Sequence, residues 1–215
     1  MTLRRSLCRT VVAALLATIS LAVSATSASN LTLSALPQSP ADDIGIEVLN
    51  EAYLRIGIRL DIVRAQAERI LVRANEGKSD GVVQRMAGIE KNYPNLIQIP
   101  VRINHEEAMV FTRDLTFPVT SWASLRPYKI GIRRGIKFIE HGTERMNVYG
   151  ATTDEQLFQM LRLQRVDVVV LPRTLGIAAL QKLAIPDIQM LEPAIAQVVL
   201  YHYLHQRHAR LVPGL

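Results

Sequence analysis

Residues 155–170 (EQLFQMLRLQRVDVVV) repeat a pattern already written at residues 68–83 (ERILVRANEGKSDGVV). Laid over each other without a gap, the copies pair Glu68 with Glu155, Ile70 with Leu157, Leu71 with Phe158, Ala74 with Leu161, Asp80 with Asp167 and Val83 with Val170, always 87 positions apart. Apolar residues at i, i+1 and i+4 specify an amphipathic helix, and the polar turn and aliphatic run behind it specify a short buried strand. A helix feeding a parallel strand, twice and so widely spaced, predicts two similar α/β lobes rather than a stacked array, whose repeats are shorter and more numerous. Coincidence is the competing reading, because helix, turn and strand recur in every α/β protein.

Arg4, Arg5 and Arg9 precede an apolar run at 11–23, and small residues follow around Ala25 and Ala28. This is the plan of a secretory signal peptide over residues 1–25, cleaved after Ala25 or Ala28, and it predicts a periplasmic location. Cys8, the only cysteine, leaves with that segment, so the mature chain is expected to have no disulfide and no thiolate metal site. Removing three arginines and no acids lowers the formal charge from +6 to +3, too mild for nucleic acid to be the main partner. The chain is 49% hydrophobic, enough for two small lobes, and has no second apolar run of membrane-spanning length.

In chain order, 31–35 alternates as a first strand, Asp42 or Asp43 caps a helix running to Gly57, and 60–63 is a second strand ahead of the first repeat copy. The pattern loosens over 93–110 around Pro94 and Pro100, which reads as an outward crossing between lobes. In the second lobe, 129–132 and 148–151 are strands, Gly135 opens a turn and helix, and Thr152 or Thr153 with Glu155 or Gln156 forms a capping box before the second copy. A helix at 174–183, an extended piece at 188–192, a return crossing at 198–200 and a short last helix at 204–211 complete the expectation. It amounts to a signal peptide at 1–25, lobe one from 26–108, lobe two from 109–195 and a return to lobe one at 196–215.

The order of these units resembles the extracellular solute-binding proteins of the amino-acid-type class, family three. The segments that carry the likeness are Asn75 to Gly81 (NEGKSDG), Trp122 to Leu125 (WASL) ahead of Lys129 to Ile132 (KIGI), and Val166 to Val170 (VDVVV). The resemblance implies an α/β fold with two similar lobes, parallel-type sheets and two crossover strands, the type 2 periplasmic binding fold. It also implies capture of a small solute between the lobes, delivery to an ABC transporter permease, a monomer, and neither cofactor nor catalysis. The chain departs from the class after its first strand (Leu36-Pro37-Gln38), after its third (Arg85 to Glu90) and after its last lobe-two strand (Leu171-Pro172-Arg173). The clamp the class uses for an α-amino group is absent there, which puts an ordinary amino acid in doubt as the ligand, and the arginine-rich strand ends suit a small anionic solute instead. The class continues through a long closing helix where this chain stops at Leu215, which reads either as a minimal version of the fold or as a truncation of that C-terminal helix.

Ligands of open parallel sheets bind beyond the carboxyl ends of the strands. Those ends carry Arg64 and Arg69, Arg85, Arg133 and Arg134, and Arg173. Guanidinium groups pair with carboxylates and phosphates, so Arg69, Arg85, Arg133 and Arg173 are the candidate ligand contacts. The competing explanation is composition, since arginine supplies 20 of the 25 basic residues. Gly135, Ile136 and Lys137 open a helix and could offer N–H groups to an anion, or form a plain tight turn. Glu106 and Glu107 fall in the outward crossing, either lining the cleft floor or exposed at the hinge. A lyase or dehydratase on the same fold would need one of them as its acid, and an orphan sensory protein is a further alternative. His202, His205 and His208 stand three apart, which on a helix fans them out rather than converging them on a metal, so a solvated face is expected. Trp122 is expected to pack near the start of lobe two, and Tyr53 and Phe158 in the cores.

Overall fold

The computed structural model describes residues 29–215; the signal peptide and Cys8 lie outside the described residues. Eight strands, β1 (Ser29–Ala35), β2 (Ile58–Arg64), β3 (Gly81–Met86), β4 (Leu96–Thr112), β5 (Ile130–Arg133), β6 (Val148–Ala151), β7 (Val168–Pro172) and β8 (Gln189–His205), alternate with five helices. These are α1 (Pro40–Arg55), α2 (Ala67–Asn75), α3 (Lys137–Gly142), α4 (Asp154–Arg162) and α5 (Arg173–Leu183). The strand order β2-β1-β3-β8-β4-β7-β5-β6 is symmetric about its centre. In each half a parallel trio (β2, β1, β3 or β6, β5, β7) meets one of the long strands β8 and β4 antiparallel.

The 87-residue repeat holds in three dimensions, with α2 and β3 occupying the same positions in one half that α4 and β7 occupy in the other. The buried faces match residue for residue, Ile70, Leu71 and Ala74 against Leu157, Phe158 and Leu161. Burying each large member stabilises its half by about 1.5–3 kcal/mol. The paired aspartates also do one job twice. Asp80 Oδ2 accepts from the backbone N–H of Thr32 at 2.7 Å, and Asp167 Oδ2 accepts from that of Lys129 at 2.7 Å. Each carboxylate ties the end of its repeat unit to the strand before it.

Each half has a core on both faces of its sheet. Leu33, Leu49, Tyr53 and Val83 pack under α1, and Ile70, Ala74, Val82 and Tyr203 under α2. In the other half Ile130, Ile139, Val168 and Leu191 form one cluster, and Met109, Phe111, Phe158 and Leu171 the other. Among the described residues, no buried member of these clusters is shared between the halves. Trp122 packs half-buried on the β5 side, and Tyr53 and Phe158 are fully buried, as their helical positions predict.

The outward crossing expected around Pro100 is one 17-residue strand, β4, whose partner β8 supplies the pairing while bulges between Gln98 and Asn104 absorb the irregularity. Two expectations are corrected. The last helix does not form at 204–211. β8 runs on to His205, and 3-10 turns follow over Gln206–Gly214, where Pro213 and a kink at His208 prevent a regular helix.

The second correction concerns His202, which faces the interior. Its ring is fully buried in β8; Nε2 lies 2.8 Å from the Tyr53 hydroxyl and Nδ1 2.8 Å from the Val82 carbonyl oxygen. The neutral imidazole fits, Nδ1–H donating to the carbonyl and Nε2 accepting from tyrosine. Burial pushes its pKa down to about 4. The unfolded chain takes up this proton near pH 6.5 while the native state refuses it until about 4. The stability this group contributes is therefore complete above pH 6.5 and lost as pH falls, a span of about 3 kcal/mol. Urea titrations at pH 7 and pH 4.5 should show wild type losing that much more than His202→Gln; equal losses would remove the assignment.

Candidate functional site

Three strand ends and the middle of β4 converge where the halves meet, and α1 of one half approaches α5 of the other. Asp42, in the first turn of α1, is buried. Its Oδ2 accepts from the Leu36 backbone N–H at 2.6 Å, just beyond β1, and its Oδ1 accepts from Gln84 Nε2 at 3.2 Å. The helix is placed by Ser39, whose hydroxyl caps the Asp42 N–H, and by Pro40 at the first helical position. From β4, Asn104 Nδ2 donates to the Ala41 carbonyl at 3.2 Å.

A bulge in β3 between Val82 and Arg85 shapes the next contact. It turns both Val83 and Gln84 toward α1, where a Cβ on Gly45 would meet them at 3.1 and 2.9 Å. Gln84 thereby reaches Asp42, and Arg85 is delivered to the strand end. There its Nη1 donates to the Gln84 carbonyl, while Nη2 is buried with no partner among the described residues. The charges of Asp42 and Glu106 sustain the guanidinium against burial, which lowers its pKa. Burial raises the Asp42 carboxyl against the pull of Arg85. Glu106 rises to about 7, through burial first and then the Asp42 charge, with Arg85 opposing. Its linkage runs opposite to that of His202: the native state keeps a proton that the unfolded chain releases, so this contribution fades as pH rises through 7.

On the opposite face of β4, the neighbouring residue Glu107 pairs with Arg173 at the start of α5. Arg173 also binds Glu192 in a fork, Nη1 to Oε1 at 2.7 Å and Nη2 to Oε2 at 3.1 Å, and both carboxylates hold it charged. One helical turn of α5 further on, Gly176 lies against the Phe111 ring, which brings α5 close to β4. The Thr174 hydroxyl in the first turn is buried without a partner among the described residues.

The other sequence candidates stand apart from this cluster or are already engaged. Arg69 is exposed on α2, in a shallow depression with Glu68, Val72, Arg73, Glu76 and Lys78, on the face turned away from the buried Ile70 and Leu71. Arg64 donates to the Leu36 carbonyl at 2.7 Å and pairs with Asp43. Arg133 pairs with Asp154 at 2.9 Å. At Gly135, whose φ of 93° only glycine adopts freely, the N–H donates to Glu140 Oε1 at 2.7 Å, and Lys137 Nζ reaches Oε2 at 3.0 Å. That turn thus holds the protein's own carboxylate, and the half-buried Ile136 supports both neighbouring cores.

Sequence reasoning missed Asp42, Gln84 and Glu192. Asp42 read as a helix cap, a role Ser39 takes instead, and no local signal announces the β3 bulge. Glu192 lies 19 residues from Arg173 and meets it only through the fold. Asp42, Glu106, Glu107 and Glu192 together bring four carboxyl groups to a region that also holds Arg85 and Arg173, with Arg64 at its edge beside Leu36.

No family model and no curated protein matches the chain. Solved structures do match. A glycine-to-alanine mutant of arginine-bound ArgBP from T. maritima superposes with a TM-score of 0.65 at 15% identity, over 86% of this chain and 92% of that one. A histidine kinase sensor domain with similarity to periplasmic binding proteins gives 0.68 at 13% identity over 87% of each chain. The substrate binding protein of an amino acid ABC transporter gives 0.62 at 15% identity, over 86% and 89%. At these identities the likeness is one of fold: two α/β halves joined by two long strands, the type 2 periplasmic binding arrangement.

Proposed function

We propose that this chain is an extracellular solute-binding protein of the amino-acid-type class, closing its lobes over a small solute that bears an anionic group. Residues 26–108 with 196–215 form one closing body and 109–195 the other. The signal peptide would place the protein in the periplasm, and an ABC transporter permease would receive the solute from a monomer that needs no cofactor. The observation that carries the reading is the buried Arg85 Nη2, which keeps its hydrogen atoms unused at the meeting of the halves. A buried donor left unpaired costs about 1–3 kcal/mol, and a ligand carboxylate or phosphate would recover that cost. Arg133, Lys137 and Arg173 could serve an anion only by releasing Asp154, Glu140 and the Glu107–Glu192 pair, so their role would be subordinate. Those carboxylates favour a solute that also carries hydrogen-bond donors.

A second reading rests on Glu106, an acid held near neutrality beside a guanidinium. It could act as the proton donor of a lyase or dehydratase on this fold. One experiment separates the two. Calorimetric titration with L-arginine, L-glutamate, succinate and inorganic phosphate, followed by NMR of each mixture after overnight incubation, is expected to give saturable binding and unchanged solute. No heat with any probe would overturn the binding reading, and converted solute would establish the enzymatic one.

A further inference from the structure

Asp42, Arg85 and Glu106 form one electrostatic unit with one cation and two carboxyl groups. Asp42 comes from α1, Arg85 from β3 and Glu106 from β4. Glu106 shares its face of β4 with Asn104, two residues before it in unbroken register, and Asn104 donates to the Ala41 carbonyl next to Asp42 at 3.2 Å. Among the described residues, the charges that act on Glu106 are those of Asp42 and Arg85. Arg64 on β2 acts on the more distant side, through Asp42. On β8, the residue paired with Glu106 is Val198, which carries no charge. The neighbouring Glu107 is committed to Arg173 on the opposite side of the strand.

When an anionic group docks on Arg85 Nη2, it adds a negative charge beside Asp42 and the ionised fraction of Glu106, and Arg64 reaches only Asp42. Like charges in a desolvated site repel strongly, and the least costly relief is protonation of a carboxyl group. Asp42 is restrained from accepting the proton by the Leu36 N–H and Gln84 donors, both of which favour its ionised form. Glu106 has no such donor among the described residues. We infer that solute capture at Arg85 is coupled to uptake of one proton by the Asp42–Glu106 pair, received at Glu106. This inference rests on the solute-binding reading and adds its pH control. A protein built this way loads its solute best on the acid side of neutrality and gives it up as the surroundings turn alkaline.

The test is calorimetry of the mature protein with the same four probes, L-arginine, L-glutamate, succinate and inorganic phosphate, at pH 7.5 in HEPES and in Tris. These buffers release their protons with different enthalpies, so coupled uptake appears as a difference between the two measured heats. The expected result is a difference corresponding to a proton taken up per solute bound, with affinity falling about tenfold per pH unit well above pH 7. Glu106→Gln, checked for a cooperative melt, is expected to make affinity independent of pH between 6 and 9. Binding with equal heats in both buffers, or a pH dependence that survives Glu106→Gln, would overturn the coupling while leaving solute binding intact. No heat with any probe would remove the binding reading itself, and the coupling with it.

Discussion

Arg85→Ala is expected to weaken capture of an anionic solute by about a hundredfold or more, the effect of deleting one partner of a buried, charge-assisted contact. Among the described residues, Arg85 is the one cation whose charge acts on both Asp42 and Glu106, and the substitution removes it. It therefore leaves two carboxyls repelling each other as well as an anion without its donor. Arg85→Lys should restore little, because Nη1 is already committed to the Gln84 carbonyl and a single ammonium cannot serve that group and a ligand in fork geometry. Arg69→Ala is the contrast, since Arg69 stands on the outer face of α2 and should leave affinity unchanged. Calorimetry of the three variants decides the matter. Equal affinities for wild type and Arg85→Ala would move the site elsewhere.

Gly81→Ala is expected to cost about 3 kcal/mol of stability, because the added methyl group would stand 2.2 Å from the Tyr203 carbonyl oxygen. The obstacle is backbone of the long strand β8, so no side-chain rotation relieves it. In a chain of this size the melting temperature should fall by roughly 6 to 12 °C. Gly214→Ala, where nothing lies within 4 Å, should leave it unchanged. The comparison between halves sharpens the point. At the matching place in the second copy stands Val168, buried between β5 and the core, where a branched side chain fits. A melting temperature within 2 °C of wild type for Gly81→Ala would mean that the strands part easily, contrary to the tight pairing of Gly81 with Leu204.

The repeat was legible because it is written in local periodicity. Ile70, Leu71 and Ala74 declare a helix face without reference to the rest of the chain, as do Leu157, Phe158 and Leu161. Asp80 and Asp167 stood out by position, but their work, tying down a strand 48 and 38 residues away, is a property of the assembled sheet. The candidate arginines illustrate the same divide. That each follows a strand end is a matter of spacing, whereas the carboxylates that meet Arg133 and Arg173 lie 19 to 66 residues away and are brought in by folding. His202 was misread because its spacing from His205 and His208 has no meaning once the segment is a strand. The interior acceptor that selects its neutral form, Val82, is 120 residues earlier in the chain.

The two long strands are paired in regular register from Asn104 to Ala108 against Leu200 to Ala196, and the irregular stretches lie to either side of that section. A rotation of one half against the other would be taken up at those irregular joints, while the short regular section between them turns as a stiff axle. Glu106 sits at the midpoint of the axle. A proton gained or lost on its carboxyl would therefore act on the section of strand that both halves share.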